Sequence, residues 1–464
     1  MNFKSFLNNL PEVSHPKKRL GLKEKLKWTG VALIIYFLLS LIPLYGLDPN
    51  YQSKFEVLSI LLAANFGSLI SLGIGPIVTA SIVLQLLVGA EVIKVDTNTH
   101  EGRQMFQGLQ KLFGIAFVLI QNILYAASGA LPAAGGTMTN IILISIQLIM
   151  GSLTVMLLDE VVSKWGVGSG ISLFIAAGVS REIFVNALNP LPDPSNPLLA
   201  IGNIPKAITL VIQGLPAEAF WPLFIVGVTV LVFVISTYLQ SVKVEVPLSF
   251  GRFRGFSFRY PLKFVYTSNM PVIFTATLIA SMQFWGLSLY NMGLPLLGTY
   301  EQVNTGGQVR DVPAGGLVYY LNPPNIRQIA TQGMTTDFTL SIIIYSLFMI
   351  IGAVLFSLLW VGIGGQGADS VADQILSSGL NVPGFRRDKR ILTRVLNRYI
   401  KPLTILGGAS VGAVAVMADL LGALSRGTGI LLTVMIIFQF YEQIKRDHYD
   451  EFPDWLKKLA KGKA

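Results

Sequence analysis

Leu72-Gly73-Ile74-Gly75-Pro76-Ile77-Val78-Thr79-Ala80 lies inside an uncharged run of 34 residues between Glu56 and Glu91. A helix needs about 20 apolar residues to cross a bilayer. The run is therefore too long for one span and too short for two with a turn. Pro76 has no N–H to donate and blocks a helix arriving from before it, while Gly73 and Gly75 loosen the chain there. The pattern predicts a short non-spanning helix over about 56–66, a break, and one full span starting at Pro76.

The same reading extends along the chain, because a charge in the bilayer core is costly. Lys27 to Asp48 leaves 20 uncharged residues, Lys111 to Asp159 leaves 47, Glu218 to Lys243 leaves 24, Lys263 to Glu301 leaves 37 and Asp337 to Asp369 leaves 31. The run of 47 holds two spans broken at Gly135-Gly136. Shorter windows, Lys164 to Arg181, Lys401 to Asp419 and Arg426 to Glu442, complete about ten spans. Only 13% of the 464 residues are charged and 52% are hydrophobic. A soluble domain carries about 25% charged residues, so this composition excludes a water-soluble enzyme and a disordered chain. The chain has no cysteine. Disulfides, thiolate metal sites and cysteine nucleophiles are excluded with it. The apolar run from Trp28 follows a basic head without a convincing cleavage site and reads as a retained first span.

With ten spans, loops on the side of the N-terminus collect 29 of the 35 Lys and Arg and carry net +13, against −3 on the other side. The positive-inside rule places both termini in the cytoplasm. The expected organisation is a cytoplasmic segment 1–27, an N-terminal half 28–188, an external connection 189–217, a C-terminal half 218–445 and a cytoplasmic tail 446–464. Cytoplasmic loops fall at about 240–263 and 362–401. The halves echo each other. Pro76-Ile77-Val78 with Thr79-Ala80 recurs as Pro271-Val272-Ile273 with Thr275-Ala276, and Gly168-Ser169-Gly170-Ile171 recurs as Gly427-Thr428-Gly429-Ile430. Five spans per half is odd, so the halves have opposite topology, an arrangement that puts the working site at their interface.

The spans are expected to hold essentially no ionisable residue, with Asp419 near an outer end the nearest exception. His15, His100 and His448 fall in loops, and no nucleophile–base pair or zinc motif is visible. That leaves a conduit that does not bind its cargo by charge. Two basic loops exceed what orientation needs. One holds Arg252, Arg254, Arg259 and Lys263, the other Arg386, Arg387, Lys389 and Arg390. They suit an anionic partner such as ribosomal RNA.

The runs Leu72–Ala80, Asp159–Ile171 and Gly427–Thr433, with Phe106–Lys111 and Tyr260–Tyr266, resemble SecY, the channel subunit of the general protein translocon, and archaeal members most closely. The similarity covers Leu10 to about Lys445. It implies an all-α integral membrane fold of ten transmembrane helices in two inverted five-helix halves with a short re-entrant plug helix. It implies a pore closed by an apolar ring, carried over by motif onto Ile74, Val78, Ile171, Ile175, Ile273 and Leu432. Apolar side chains at a constriction dewet it and block ions. The 56–66 helix, with Leu58, Leu61, Leu62 and Phe66, matches the plug beneath the ring. A lateral gate is implied between spans two and three and spans seven and eight, with Thr79 and Asn269 as its polar residues. A hydrogen bond there is worth about 0.6–2 kcal/mol, weak enough for a signal sequence to open. Arg252, Arg254, Lys263, Arg386 and Arg387 match docking positions for a ribosome or signal-recognition receptor. A single-span SecE-like subunit and a small beta subunit are implied partners, along with signal sequences, nascent polypeptides and the lipid bilayer. No cofactor, metal or enzymatic activity is implied, and no phosphate-binding loop is present, so an external motor would drive transport. A secondary transporter for a small neutral solute is the alternative, favoured by the inverted repeat and the broken second span. A lipid-handling enzyme lacks a candidate catalytic group.

Overall fold

Long apolar runs fold as helices because lipid offers no partner to a free backbone N–H or C=O. A computed structural model of the chain describes residues 12–18, 20–48, 67–89, 92–93, 95, 99–128, 131–193, 196–250, 257–267, 270–305, 308–322, 324, 326–377, 380–381, 388–425 and 427–448. Among them, eight helices are long and apolar enough to cross a membrane. They are α3 (His100–Ala127), α4 (Met138–Trp165), α5 (Gly170–Leu188), α7 (Pro216–Ser241), α8 (Met270–Asn291), α11 (Thr336–Ile363), α13 (Lys389–Leu421) and α14 (Gly427–His448). Two more complete the ten. α1 (Leu22–Leu41) carries Lys23, Glu24, Lys25 and Lys27 in its first turns. α2 (Gly75–Gly89) has only 15 residues because it starts at the glycine–proline break. Pro76 and Pro271 are each the second residue of their helix, where the missing N–H costs nothing.

The described chain clusters into two units. The first comprises residues 1–77, 115–209 and 433–464. In it α1 lies on α4 and α5 through Ala32, Tyr36, Val155, Val162 and Phe174. The Tyr36 ring stacks on Phe174 at 4.6 Å. A methyl group at Gly151 of α4 would overlap the Leu69 backbone, so the segment before α2 rests directly on that helix.

The second unit comprises residues 78–114 and 210–432. Here α8, α11 and α13 pack side by side. Phe274 meets Phe356 edge-on at 5.7 Å and Trp360 at 5.9 Å. Gly408 and Gly412 bring α13 close to α11, where an added Cβ would lie 3.0 Å from Ala353 O or 3.1 Å from Ile350 Cα.

Several connections differ from the sequence reading. The 189–217 connection holds a hairpin of β1 (Pro192–Asp193) and β2 (Asn196–Ala200) and the short helix α6 (Asn203–Ile212). The polar loop 298–337 contains a hairpin of β5 (Gly298–Thr305) and β6 (Gln308–Gly316), then α9 (Leu317–Tyr320) and α10 (Ile326–Gln332). The basic loop 240–263 is a hairpin of β3 (Lys243–Phe250) and β4 (Ser257–Lys263). The basic loop 362–401 contains α12 (Ala368–Ser377) and β7 (Leu380–Asn381), and from Lys389 onward it is already α13. The fifth span also runs past the charge that bounds its uncharged window. α5 continues through Arg181 and Glu182 to Leu188. Arg181 Nη1 donates to Ser40 Oγ (3.2 Å) and its guanidinium lies 5.7 Å from the Phe37 ring centroid. Its apolar stem and flat head suit such a half-buried place, about two turns before the end of α5.

Candidate functional site

The six ring candidates share one kind of placement, at the start of a helix. Ile74 stands one residue before α2, and Val78 is the fourth residue of that helix. Ile171 and Ile175 are the second and sixth residues of α5. Ile273 is the fourth of α8 and Leu432 the sixth of α14. Each sits at or just before a helix's first turns, so four helices offer branched aliphatic side chains from their N-terminal ends. Val78, Ile273 and Leu432 are buried, and Ile74, Ile171 and Ile175 are half-buried. Ile74 and Ile171 both pack against the core of the first unit.

Of the gate candidates, Thr79 lies in the second unit. Thr79 Oγ1 is 3.1 Å from Ser281 Oγ, a direct bond between α2 and α8. Gln110 of α3 donates to Ser81 of α2 (2.9 Å). Below these bonds Ile82, Leu86, Phe274 and Phe356 close an apolar seam. A cavity of about 440 Å³ opens beside it, lined by Gln85, Arg103, Gln107, Gln110, Trp360 and Gln374. Ser281 was not singled out from sequence, since a lone serine in an apolar helix carries no pattern. Asn269 lies outside the described residues, as do Leu58, Leu61, Leu62 and Phe66 of the expected plug.

The sequence matches the SecY family over residues 68–441 and the plug domain of Sec61p over residues 34–67. The chain belongs to the SecY family. A protein translocase subunit SecY of Pyrococcus horikoshii is 43% identical, with 97% of each chain covered. That of Methanocaldococcus jannaschii is 42% identical, with 98% of each covered. A solved structure described as a protein-conducting channel superposes with a TM-score of 0.80 at 40% identity, covering 97% of this chain and 98% of that one. Sec61 in a canine ribosome–channel complex from the endoplasmic reticulum superposes with a TM-score of 0.76 at 40% identity and the same coverage.

In this SecY-family chain the two basic loops form one folded body. β3 lies between β4 and β7, with Ser249 opposite Asn381 and Phe250 opposite Leu380. Val246 and Leu262 of the hairpin are buried against Ala372, Ile375, Leu392 and Leu396 of α12 and α13. The outer face of the hairpin carries the Glu245–Arg259 ion pair (2.9 Å). Arg252 and Arg254, between β3 and β4 in sequence, and Arg386 and Arg387, between β7 and α13, lie outside the described residues. Lys263 is separate. It pairs with Lys243 at the hairpin base, six residues down β4 from Ser257, or about 20 Å along the strand. Just beyond it, the Tyr266 hydroxyl donates to Gln366 O (2.7 Å). Burial, and secondarily Tyr260, pushes that phenol up to about 12, so it remains a donor at neutral pH. The sheet was readable in sequence, because Val244, Val246, Leu248 and Phe250 alternate with Lys243, Glu245, Pro247 and Ser249. That is a strand period of two.

Proposed function

We propose that this chain is the channel-forming subunit of a protein translocon, passing secretory polypeptides across the membrane and releasing membrane segments sideways into lipid. Membership of the SecY family over most of the chain supports the general role. The observation that carries the site is the shared placement of the six ring residues at helix starts. Apolar side chains at a constriction can part around a passing chain and reseal, since none depends on a directed bond. Thr79, with Ser281, serves as a polar latch of the lateral gate, and the apolar seam below it is where a signal sequence inserts. The 56–66 segment is the plug. Arg252, Arg254, Arg386 and Arg387 dock the ribosome or targeting receptor, with Lys263 a more distant contact. The chain is a passive conduit, not an enzyme. It works with a SecE-like single-span subunit and a small beta subunit in the plasma membrane, with both termini cytoplasmic, a reading that the loop charges support.

The test uses the cysteine-free background. A single cysteine at Ile273 is placed in the chain reconstituted with its partner subunits. A stalled ribosome–nascent chain with a signal sequence and a cysteine probe is then supplied. A cross-link that needs the signal sequence is expected. Cross-linking at Ile273 and Ile74 no greater than at lipid-facing controls would remove the pore assignment.

A further inference from the structure

Two of the four ring-bearing helices begin in the same unusual way. In the first unit, Thr29 of α1 and Asp159 of α4 converge on the start of α5. Thr29 Oγ1 accepts from Val167 N–H (3.1 Å), three residues before Gly170. Asp159 Oδ1 accepts from Ile171 N–H (2.8 Å), the backbone of a ring candidate itself. In the second unit, Thr229 of α7 and Asp419 of α13 converge on the start of α14. Thr229 Oγ1 accepts from Leu424 N–H (3.0 Å), again three residues before the helix begins at Gly427. Asp419 Oδ1 accepts from Gly427 N–H (2.5 Å).

The parallel extends to the remaining proton and to the glycines. Thr29 donates its own proton to Lys25 O (2.9 Å) and Thr229 donates to Ile225 O (2.9 Å), so each hydroxyl is oriented to accept from the incoming N–H. Both threonines are buried. A Cβ at Gly170 would lie 2.5 Å from Asp159 Cα, and one at Gly427 would overlap Ala418 and lie 2.7 Å from Ala415 O. In each case the first residue of the helix is pressed against the end of the helix before it. The first and fourth spans of each half thus supply a hydroxyl and a carboxylate to the start of the fifth. A carboxylate at a helix N-terminus also meets the positive end of the helix dipole.

We infer that Thr29 with Asp159, and Thr229 with Asp419, are positioning residues that set where the first turns of α5 and α14 stand, and so hold the apolar ring closed at rest. This rests on the ring assignment made above. Ile171 is held through its own N–H and Ile175 lies one turn on, while Leu432 lies five residues beyond Gly427. A small shift of either helix start would move these side chains and let water through.

The experiment measures ion leak through the resting complex in planar bilayers, alongside thermal unfolding of each variant. D159N keeps side-chain shape and removes the charge, T29V and T229V remove the acceptor, and T29S restores it. T29V and T229V are each expected to raise resting leak about threefold to tenfold, the range set by one lost hydrogen bond, and D159N and D419N, whose amide oxygen still accepts but without charge assistance, about threefold. T29S is expected to restore the wild-type seal. Ile171→Asn and Ile273→Asn test the ring itself. If those two leak while the four clasp variants only lower thermal stability, the ring stands and the positioning role is overturned. If neither ring variant leaks, the ring assignment fails and the inference fails with it.

Discussion

The two helix starts at Gly170 and Gly427 use the same residue types but back their carboxylates differently. Asp159 is supported locally, by the Ser163 hydroxyl one turn along α4. Its surroundings are also braced by the N-terminal strap. Val13 N–H donates to Glu160 (2.9 Å), Lys164 pairs with Glu12, and Trp165 Nε1 donates to Ser14 O (2.8 Å). Asp419 instead takes its second bond from Tyr345 on α11, a different span. A polar cavity of about 210 Å³ adjoins it, lined by Gln283, Asn322, Ser425 and Thr428 among others. One carboxylate is backed from its own helix and the other from a neighbouring span. A local support fails gracefully, whereas a support shared between spans couples their positions.

That contrast can be attacked from its strongest point. Gly170→Ala and Gly427→Ala should be the most damaging single changes, each costing about 3 kcal/mol, because backbone or a short Cβ blocks the new methyl. Thermal unfolding in detergent measures both, and a tolerated alanine at either site would show that the close approach is slack. Next, Asp419→Ala should destabilise by about 3 kcal/mol and Asp159→Ala by about 2 kcal/mol, since the former strands a tyrosine hydroxyl as well as a backbone donor. Equal losses would erase the distinction between shared and local support. Tyr345→Phe should cost about 1.5 kcal/mol and Ser163→Ala about 0.5 kcal/mol, the difference between a bond across spans and one along a helix. Smallest, Thr29→Val and Thr229→Val should cost about 1 kcal/mol each and match within error, because their bonds are alike in partner and length.

Much of the fold was legible because charge is so rare in this chain. Gaps between charged residues located the spans, and the glycine–proline break announced the short α2 and the matching start of α8. What charge gaps could not give was helix length. α3 starts twelve residues before the uncharged run and carries Arg103 and Lys111, and α4 runs past Asp159 to Trp165. Helices extend beyond hydrocarbon wherever their ends reach water, so charge marks the membrane boundary rather than the helix boundary. Arg181 shows the same, a cation that α5 runs past and whose head finds Ser40 and Phe37. The repeated motifs single out Val78, Ile171 and Ile273 as candidates, and each falls at the start of a helix. Ser281, Thr29 and Thr229 were not legible, because a single hydroxyl in an apolar helix has no periodicity, and its partner is set only by packing.

The three-stranded sheet on the basic side has a mechanical meaning. β3 is bonded on one edge to its hairpin partner and on the other to residues about 130 positions later in the chain. A large particle gripping the hairpin would therefore hold two inter-span connections at once, the one leading into α8 and the one leading into α13. Torque on such a handle is divided between two anchor points, and the buried contacts of Val246 and Leu262 with α12 and α13 keep it from swivelling on its base.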